Sequence, residues 1–212
     1  MAAPLLLSMG DPAGIGPEIT LKAWAALRYD PEYAFAVMAT PRVMERANES
    51  FDHNLIEIED CGEAADVFRE GLPILPIEGR VAEPGEPDPD HALAVTESIE
   101  RAVSRCLSGK ADGLVTNPIS KDVLYKAGFK FPGHTEYLGQ LTEGHAAPYA
   151  RGPVMMLSGG GLRVGLATVH LALQDAVKQL SSDAIIRNAR VMDGALKCDF
   201  GIPHPRLSLT GL

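Results

Sequence analysis

Pro4–Glu18, PLLLSMGDPAGIGPE, is the stretch whose reading sets the fold class. Its first half, Pro4–Met9, is a short apolar run, the pattern of a strand buried on both faces. Gly10, Gly14 and Gly16 then turn the chain. Pro17 suits the first turn of a helix, where a missing N–H leaves nothing unsatisfied. Ile19, Ala23, Trp24 and Leu27 follow at helical spacing. Strand, tight turn and helix in this order are the opening of a βαβ unit.

The alternation continues along the chain. Tyr33–Ala39 reads as a second strand and Pro41–Asn48 as a short helix. Leu55–Ile58 and Ile74–Ile77 are further strand candidates. Val81–Pro89 holds three prolines and a glycine and is a loop. A long helix is expected from Asp90 to Ser108, with Ala92, Val95, Ile99, Val103 and Cys106 or Leu107 on its apolar face, stopped by Gly109. Gly113–Thr116 is a short buried strand, and Ser120 caps a helix ending at Gly128.

Phe131–Gly133 is a turn, and His134–Leu141 opens another helix. Val154–Leu157 and Leu162–Val169 read as strands joined by the glycine-rich segment 158–161. Leu173, Ala176, Val177 and Leu180 mark a helix. Ser182 caps the next, with Ile185, Ala189, Met192 and Leu196 inward, and Leu207–Thr210 begins one more strand. Strands alternating with helices predict a three-layer α/β/α fold with a largely parallel sheet. The shift at Phe131–Gly133 divides the chain into a first α/β domain, residues 1–130, and part of a second, residues 131–212.

Composition narrows the partners. The 212 residues are 46% hydrophobic and 22% charged, with a formal net charge of −9, values of a folded globular chain. Such a surface argues against nucleic acid or an anionic membrane as the main partner, while leaving room for a locally basic pocket. The Leu5–Leu7 run has no basic residue before it and fails as a signal peptide. No apolar run approaches the ~20 residues that span a bilayer. Cys61, Cys106 and Cys198 are widely spaced and odd in number, which suggests reduced thiols and a cytoplasmic setting.

Four segments are candidates for chemistry. Gly10–Glu18 opens a helix, where free N–H groups favour anions. It is neither a dinucleotide fingerprint nor a phosphate loop, and a tight structural turn fits it equally well. Thr116–Lys121 lies at the C-terminal end of a strand, the edge where open α/β sheets bind ligands, and Lys121 is placed to meet a phosphate or carboxylate there. A capped helix start with a solvated lysine accounts for the same residues. His134 and Thr135 offer hydrogen-bonding groups at a helix start, next to the positive end of its dipole. His170 follows an apolar strand and precedes a helix, a place for a metal ligand or for a hydrogen-bonded structural histidine. His53, His91, His145 and His204 read as surface residues.

Taken in order, the strand–GDPAGIGPE–helix, VTNPISK, FPGHTEYL and GLRVGLATVHLAL segments resemble the 4-hydroxythreonine-4-phosphate dehydrogenase family along essentially the whole chain. The closing LSLTGL matches as well. In that family the last strand leads into an Asn-Pro-His-Ala-Gly-Glu motif, and this chain stops just before it, so a truncated chain lacking the C-terminal third is expected.

The resemblance implies the two-domain fold of isocitrate and isopropylmalate dehydrogenases, with the active site in a cleft and a homodimer as the usual assembly. It implies NAD- or NADP-dependent oxidation of 4-phosphooxy-L-threonine. The resulting β-keto acid decarboxylates to 3-amino-2-oxopropyl phosphate. By the same resemblance His134 and Thr135 bind substrate, and His170 is the first of three histidine ligands for a divalent metal, zinc, magnesium or cobalt. The other two ligands and much of the cofactor site fall in the part this chain lacks. Residues 1–212 alone are therefore expected to bind metal weakly and to be inactive. Paralogues acting on a phosphorylated threonate or a cyclic dihydrodiol, and a non-catalytic fragment, are the alternatives.

Overall fold

In the computed structural model, which describes residues 3–30 and 32–210, five short strands form one all-parallel sheet. They are β1 (Leu5–Ser8), β2 (Phe35–Ala39), β3 (Leu55–Glu57), β4 (Leu72–Pro76) and β5 (Gly113–Val115), in the order β3-β4-β2-β1-β5. The interior position of β1 is visible in its register: Leu6 lies opposite Ala36 on one side and Leu114 on the other. Every residue of β2 is buried, as expected of a parallel strand covered on both faces.

Parallel neighbours require crossovers, and the helices supply them. They are α1 (Gly16–Leu27) between β1 and β2, α2 (Pro41–Asn48) between β2 and β3, α3 (Ala64–Val67) between β3 and β4, and α4 (Ala92–Leu107) between β4 and β5. Helix α4 packs on β1 and β2, with Ala94 and Ala102 in the same core cluster as Leu6 and Val37, while Val95 packs with Leu124 of the helix that follows β5. Helix α1 turns Thr20, Leu21 and Trp24 inward, while Ile19, expected on that face, is exposed. Trp24 is fully enclosed, and its indole N–H donates to the Phe68 carbonyl at 2.7 Å, so the polar end of this large apolar side chain is satisfied.

Two crossover features were absent from the sequence reading. A 3-10 turn, Cys61–Glu63, leads into α3. It is started by a capping box in which Asp60 and Glu63 each bond the other's backbone N–H. The helix over 90–108 begins as a separate 3-10 turn, Pro89–His91, capped by Asp88.

The chain divides into two compact units, Met1–His134 and Thr135–Leu212. The sheet and α5 (Lys121–Lys126) belong to the first. Helix α6 (His134–Thr142) starts on its last residue. The second unit holds the antiparallel pair β6 (Met156–Gly159) and β7 (Leu162–Gly165), then α7 (Leu173–Gln179) and α8 (Ser182–Cys198). Ser181, not Ser182, caps α8, its hydroxyl accepting from the Ala184 N–H at 3.2 Å. Two strand expectations fail. The one drawn over 162–169 ends at Gly165, where its pairing with β6 begins at Met156. Leu207–Thr210 forms no strand, since no ladder partner is present for it among the described residues. No helix among the described residues is long and apolar enough to cross a membrane.

Candidate active site

The C-terminal edge of the sheet in the first unit carries two of the four candidate segments, the turns leaving β1 and β5. They are tied to each other by buried polar groups. The Asn117 side chain donates to the Ser8 carbonyl and to the Thr20 hydroxyl, both at 2.8 Å, and the Asn117 N–H donates to the Ser8 hydroxyl at 3.1 Å. Thr20 in turn donates to the Gly16 carbonyl, and the Asp11 N–H to the Pro118 carbonyl, both at 2.9 Å. Beneath this network the Met9 N–H donates to Ser98 on α4, which donates to the Met38 carbonyl at 2.6 Å. Ser8, Thr20, Ser98 and Asn117 are all buried. Unpaired, each would cost about 1–3 kcal/mol, so the network has to form as a set.

This accounts for the glycines. A Cβ on Gly10, which has φ +75°, would lie 2.6 Å from the Pro118 carbonyl oxygen, and one on Gly16 would lie 2.5 Å from that of Met9. The Ala13 N–H, a donor that an anion at this turn would use, is taken by the Asp11 carboxylate at 2.9 Å. The turn from Gly10 to Glu18 is thus shaped by close packing against Asn117-Pro118. Sequence reasoning missed Ser8, Thr20, Ser98 and the buried role of Asn117. The one local signal was Ser98 itself, a polar residue on the apolar face of the long helix.

His134 ends the first unit. It is half-buried, and its Nε2 has neither accessible surface nor a hydrogen-bond partner. Burial, and after it the positive charge of Lys121, pushes its pKa below the usual histidine value. At neutral pH the ring is therefore uncharged. Lys121 is the first residue of α5 behind the pinned Asn117-Pro118 turn, so the structure brings two of the four candidates, Thr116–Lys121 and His134, into electrostatic reach of each other.

Thr135 is exposed and belongs to the second unit. There it lines a groove of about 370 Å³ with Leu138, Thr142, Arg151, Val191 and Asp199. Beside the groove the Tyr149 hydroxyl donates to Asp199 at 2.7 Å, and stabilisation of its protonated form by that carboxylate raises its pKa to about 12. Tyr149 acts as a brace to α8, not as a proton donor at neutral pH.

His170 does not stand at the edge of a parallel sheet. It is exposed, five residues past a two-stranded antiparallel hairpin, in a bend with φ +55°, an uncommon backbone conformation for a residue with a side chain. A divalent metal in such a protein needs several converging ligands. Among the described residues no group of three His, Cys, Asp or Glu side chains converges. The residues present do not by themselves fit a metal site. Two other histidines depart from the surface reading. His91 is buried with its Nδ1 unpartnered, and His53 packs its ring edge-on to Trp24 at 5.2 Å. His145 and His204 are exposed as expected.

With the geometry in place, known proteins supply the comparison. The chain is 45% identical over 212 residues to a 4-hydroxythreonine-4-phosphate dehydrogenase of Caulobacter vibrioides, covering 99% of this chain and 62% of the relative. A protein of the same name from Maricaulis maris is 41% identical, with 99% and 63% covered. The crystal structure of the Klebsiella pneumoniae 4-hydroxythreonine-4-phosphate dehydrogenase superposes with a TM-score of 0.84 at 29% identity, over 97% of this chain and 62% of that one. The chain therefore spans somewhat under two thirds of the length of these relatives. Residues 32–212 match the family model described as pyridoxal phosphate biosynthetic protein PdxA, and with this match and these relatives the chain belongs to that family.

Proposed function

We propose that this sequence serves the oxidation of 4-phosphooxy-L-threonine by NAD⁺ or NADP⁺ in pyridoxal phosphate biosynthesis. The observation that carries the reading is 45% identity over 99% of the chain to a relative named for that substrate. In the reaction the C3 hydride passes to the nicotinamide and the hydroxyl proton is lost. The β-keto acid then releases carbon dioxide and takes up a proton, leaving 3-amino-2-oxopropyl phosphate. Phosphorylated threonates and cyclic dihydrodiols are the competing substrates.

His134 and Thr135 are the proposed substrate-binding pair. The neutral His134 ring holds an unused nitrogen for a substrate group, and Thr135 adds an exposed hydroxyl one residue further into α6. Both sit at the positive end of the helix dipole, which favours the phosphate or carboxylate of the substrate. Their work is binding and orientation, while the nicotinamide accepts the hydride. His170 is proposed as one ligand of a divalent ion, zinc, magnesium or cobalt, whose other ligands the described residues do not supply. Two domains, residues 1–130 and 131–212, a homodimer and a cytoplasmic location complete the reading.

The test is substrate-dependent nicotinamide reduction by this sequence extended to the length of its relatives, with 4-phosphooxy-L-threonine against phosphorylated threonate and a dihydrodiol. A preference for 4-phosphooxy-L-threonine in kcat/KM is the expected result. A preference for either competitor overturns the reading. Residues 1–212 alone are expected to give no reduction with any of the three metals.

A further inference from the structure

One groove of the second unit carries two charges that no ion pair neutralises. Thr135, Leu138 and Thr142, at i, i+3 and i+7, line it from one face of α6, and Val191, Ala195 and Asp199 line it at every fourth residue along α8. The segment 149–154 supplies a third side. At about 370 Å³ the groove has the size of a small-molecule site, and like such sites it is largely apolar with a few polar groups. Its charged side chains are Arg151 and Asp199. Arg151 makes no ion pair with a described residue, Asp199 included. The Asp199 carboxylate accepts a hydrogen bond from the neutral Tyr149 hydroxyl at 2.7 Å.

Asp199 stands where a negative charge is disfavoured. It is the C-cap of α8, a helix of 17 residues, whose last carbonyl groups already make that end negative. A cation is the ligand that such a position prefers. The carboxylate is also held in place before any ligand arrives. A Cβ on Gly194 would lie 2.4 Å from the Tyr149 Cβ, so glycine there lets the tyrosine pack onto the α8 backbone and reach Asp199 with its hydroxyl. A group ordered in advance loses less freedom on binding. Arg151 offers the opposite charge as a planar fork of donors that matches a carboxylate. A simple anion in the groove would face Asp199, and a simple cation would face Arg151. A ligand carrying both charges satisfies both, and the ammonium and carboxylate of an α-amino acid share one carbon.

We infer that Asp199 and Arg151 receive the amino-acid end of the substrate, Asp199 the ammonium and Arg151 the carboxylate, and that Asp199 thereby selects an aminated substrate over its hydroxy analogue. The inference rests on the proposed function, in which Thr135 of the same groove binds 4-phosphooxy-L-threonine. In a phosphorylated threonate a hydroxyl replaces the ammonium, so Asp199 gains no charge pair from it, while the carboxylate offered to Arg151 is the same. Tyr149 then acts as a positioning residue, through Asp199.

The test is the ratio of kcat/KM for 4-phosphooxy-L-threonine to kcat/KM for phosphorylated threonate, followed by nicotinamide reduction in this sequence extended to the length of its relatives. Asp199→Asn keeps the shape and the acceptor for Tyr149 and removes the charge. It should lower the ratio about five-fold, the scale of an exposed charge pair, by acting on the aminated substrate alone. Tyr149→Phe should lower the ratio by a smaller factor. Arg151→Met should lower kcat/KM for both substrates and leave the ratio as it is. Asp193→Asn removes a carboxylate from α8 outside the groove, one held by Lys197, and should also leave the ratio as it is. An unchanged ratio in Asp199→Asn, in a protein that still prefers 4-phosphooxy-L-threonine, would overturn the inference and leave the functional reading standing. Equal falls in Asp199→Asn and Asp193→Asn would reduce the effect to general surface charge and overturn it as well. Full activity of Arg151→Met toward both substrates would remove Arg151 from the subsite. A preference of the unmodified protein for the phosphorylated threonate would overturn the functional reading, and the inference with it.

Discussion

The first unit encloses most of its large apolar side chains, and the second leaves most of its own exposed or half-buried. In Met1–His134 the cluster around Leu6, Trp24, Met38, Met44, Leu72 and Ile74 is sealed between helices and sheet. In Thr135–Leu212 only Tyr137, Val191 and Leu196 are buried among the described large apolar side chains. Leu157, Leu162, Leu173, Val177, Ile186 and Leu209 are exposed there, Leu173 at 83%. The long helices α4 and α8 are both amphipathic, so the helix pattern alone does not separate the units. What separates them is the partner for each face. A five-stranded sheet offers two surfaces to its crossover helices, whereas a hairpin of two four-residue strands has little surface to offer α7 or α8. Apolar burial stabilises by about 25 cal/mol per Å². On that scale the second unit draws far less stability from its own residues and should open at a lower free energy. Exposed apolar surface of this extent is uncommon on a monomeric protein.

The largest effect should come from the enclosed side. Trp24→Ala removes the biggest core side chain and its bond to Phe68, and should destabilise the first unit by about 3–5 kcal/mol in urea unfolding. A loss under ~1 kcal/mol would show that this core is not what holds the unit. Asn117→Ala comes next, about 1–3 kcal/mol, because Ser8 and Thr20 lose a donor in a place without water. It should also broaden the Lys121 and His134 resonances.

A pH effect follows from His134. Its folded pKa is lowered, so the neutral form is the one compatible with folding. Its contribution is fully present above the ordinary histidine pKa and is lost as pH falls through that value toward the lowered one. His134→Gln should flatten this part of the stability–pH curve, and an unchanged curve would mean that the ring is not held neutral. The smallest effect belongs to the open side. Leu173→Ser should change stability by no more than about 0.5 kcal/mol, since the side chain is already in water. A loss above 1 kcal/mol would show that α7 is covered in solution.

The first unit was largely legible because its signals are local. Pro41–Asn48 was bounded by the sequence, with Pro41 at the first helical position after an extended Thr40. The apolar runs of β1 and β2 and the long period of α4 were equally plain. The short turn and helix at Cys61–Val67 escaped because seven residues carry no usable period, although Asp60 and Glu63 stood at capping-box spacing. The Ser8–Asn117 and Met9–Ser98 bonds span 109 and 89 residues, and no local pattern announces such pairs. His91 was read as a surface residue because it follows a proline-rich loop, and packing beside α5 buries it. In the second unit the strand drawn over 162–169, which His170 was to follow directly, ends early for one reason. Apolar alternation says that a segment suits a strand, and only a neighbour decides whether a ladder forms.

The account turns on His134, a neutral ring with an unused buried nitrogen, receiving the substrate. The most direct measurement is steady-state kinetics of His134→Ala, in this sequence extended to the length of its relatives, with 4-phosphooxy-L-threonine varied at saturating nicotinamide cofactor. The account predicts a fall in kcat/KM of about 30-fold or more, the equivalent of ~2 kcal/mol of lost binding, with the urea midpoint unchanged or raised. A kcat/KM equal to that of the unmodified protein would contradict it.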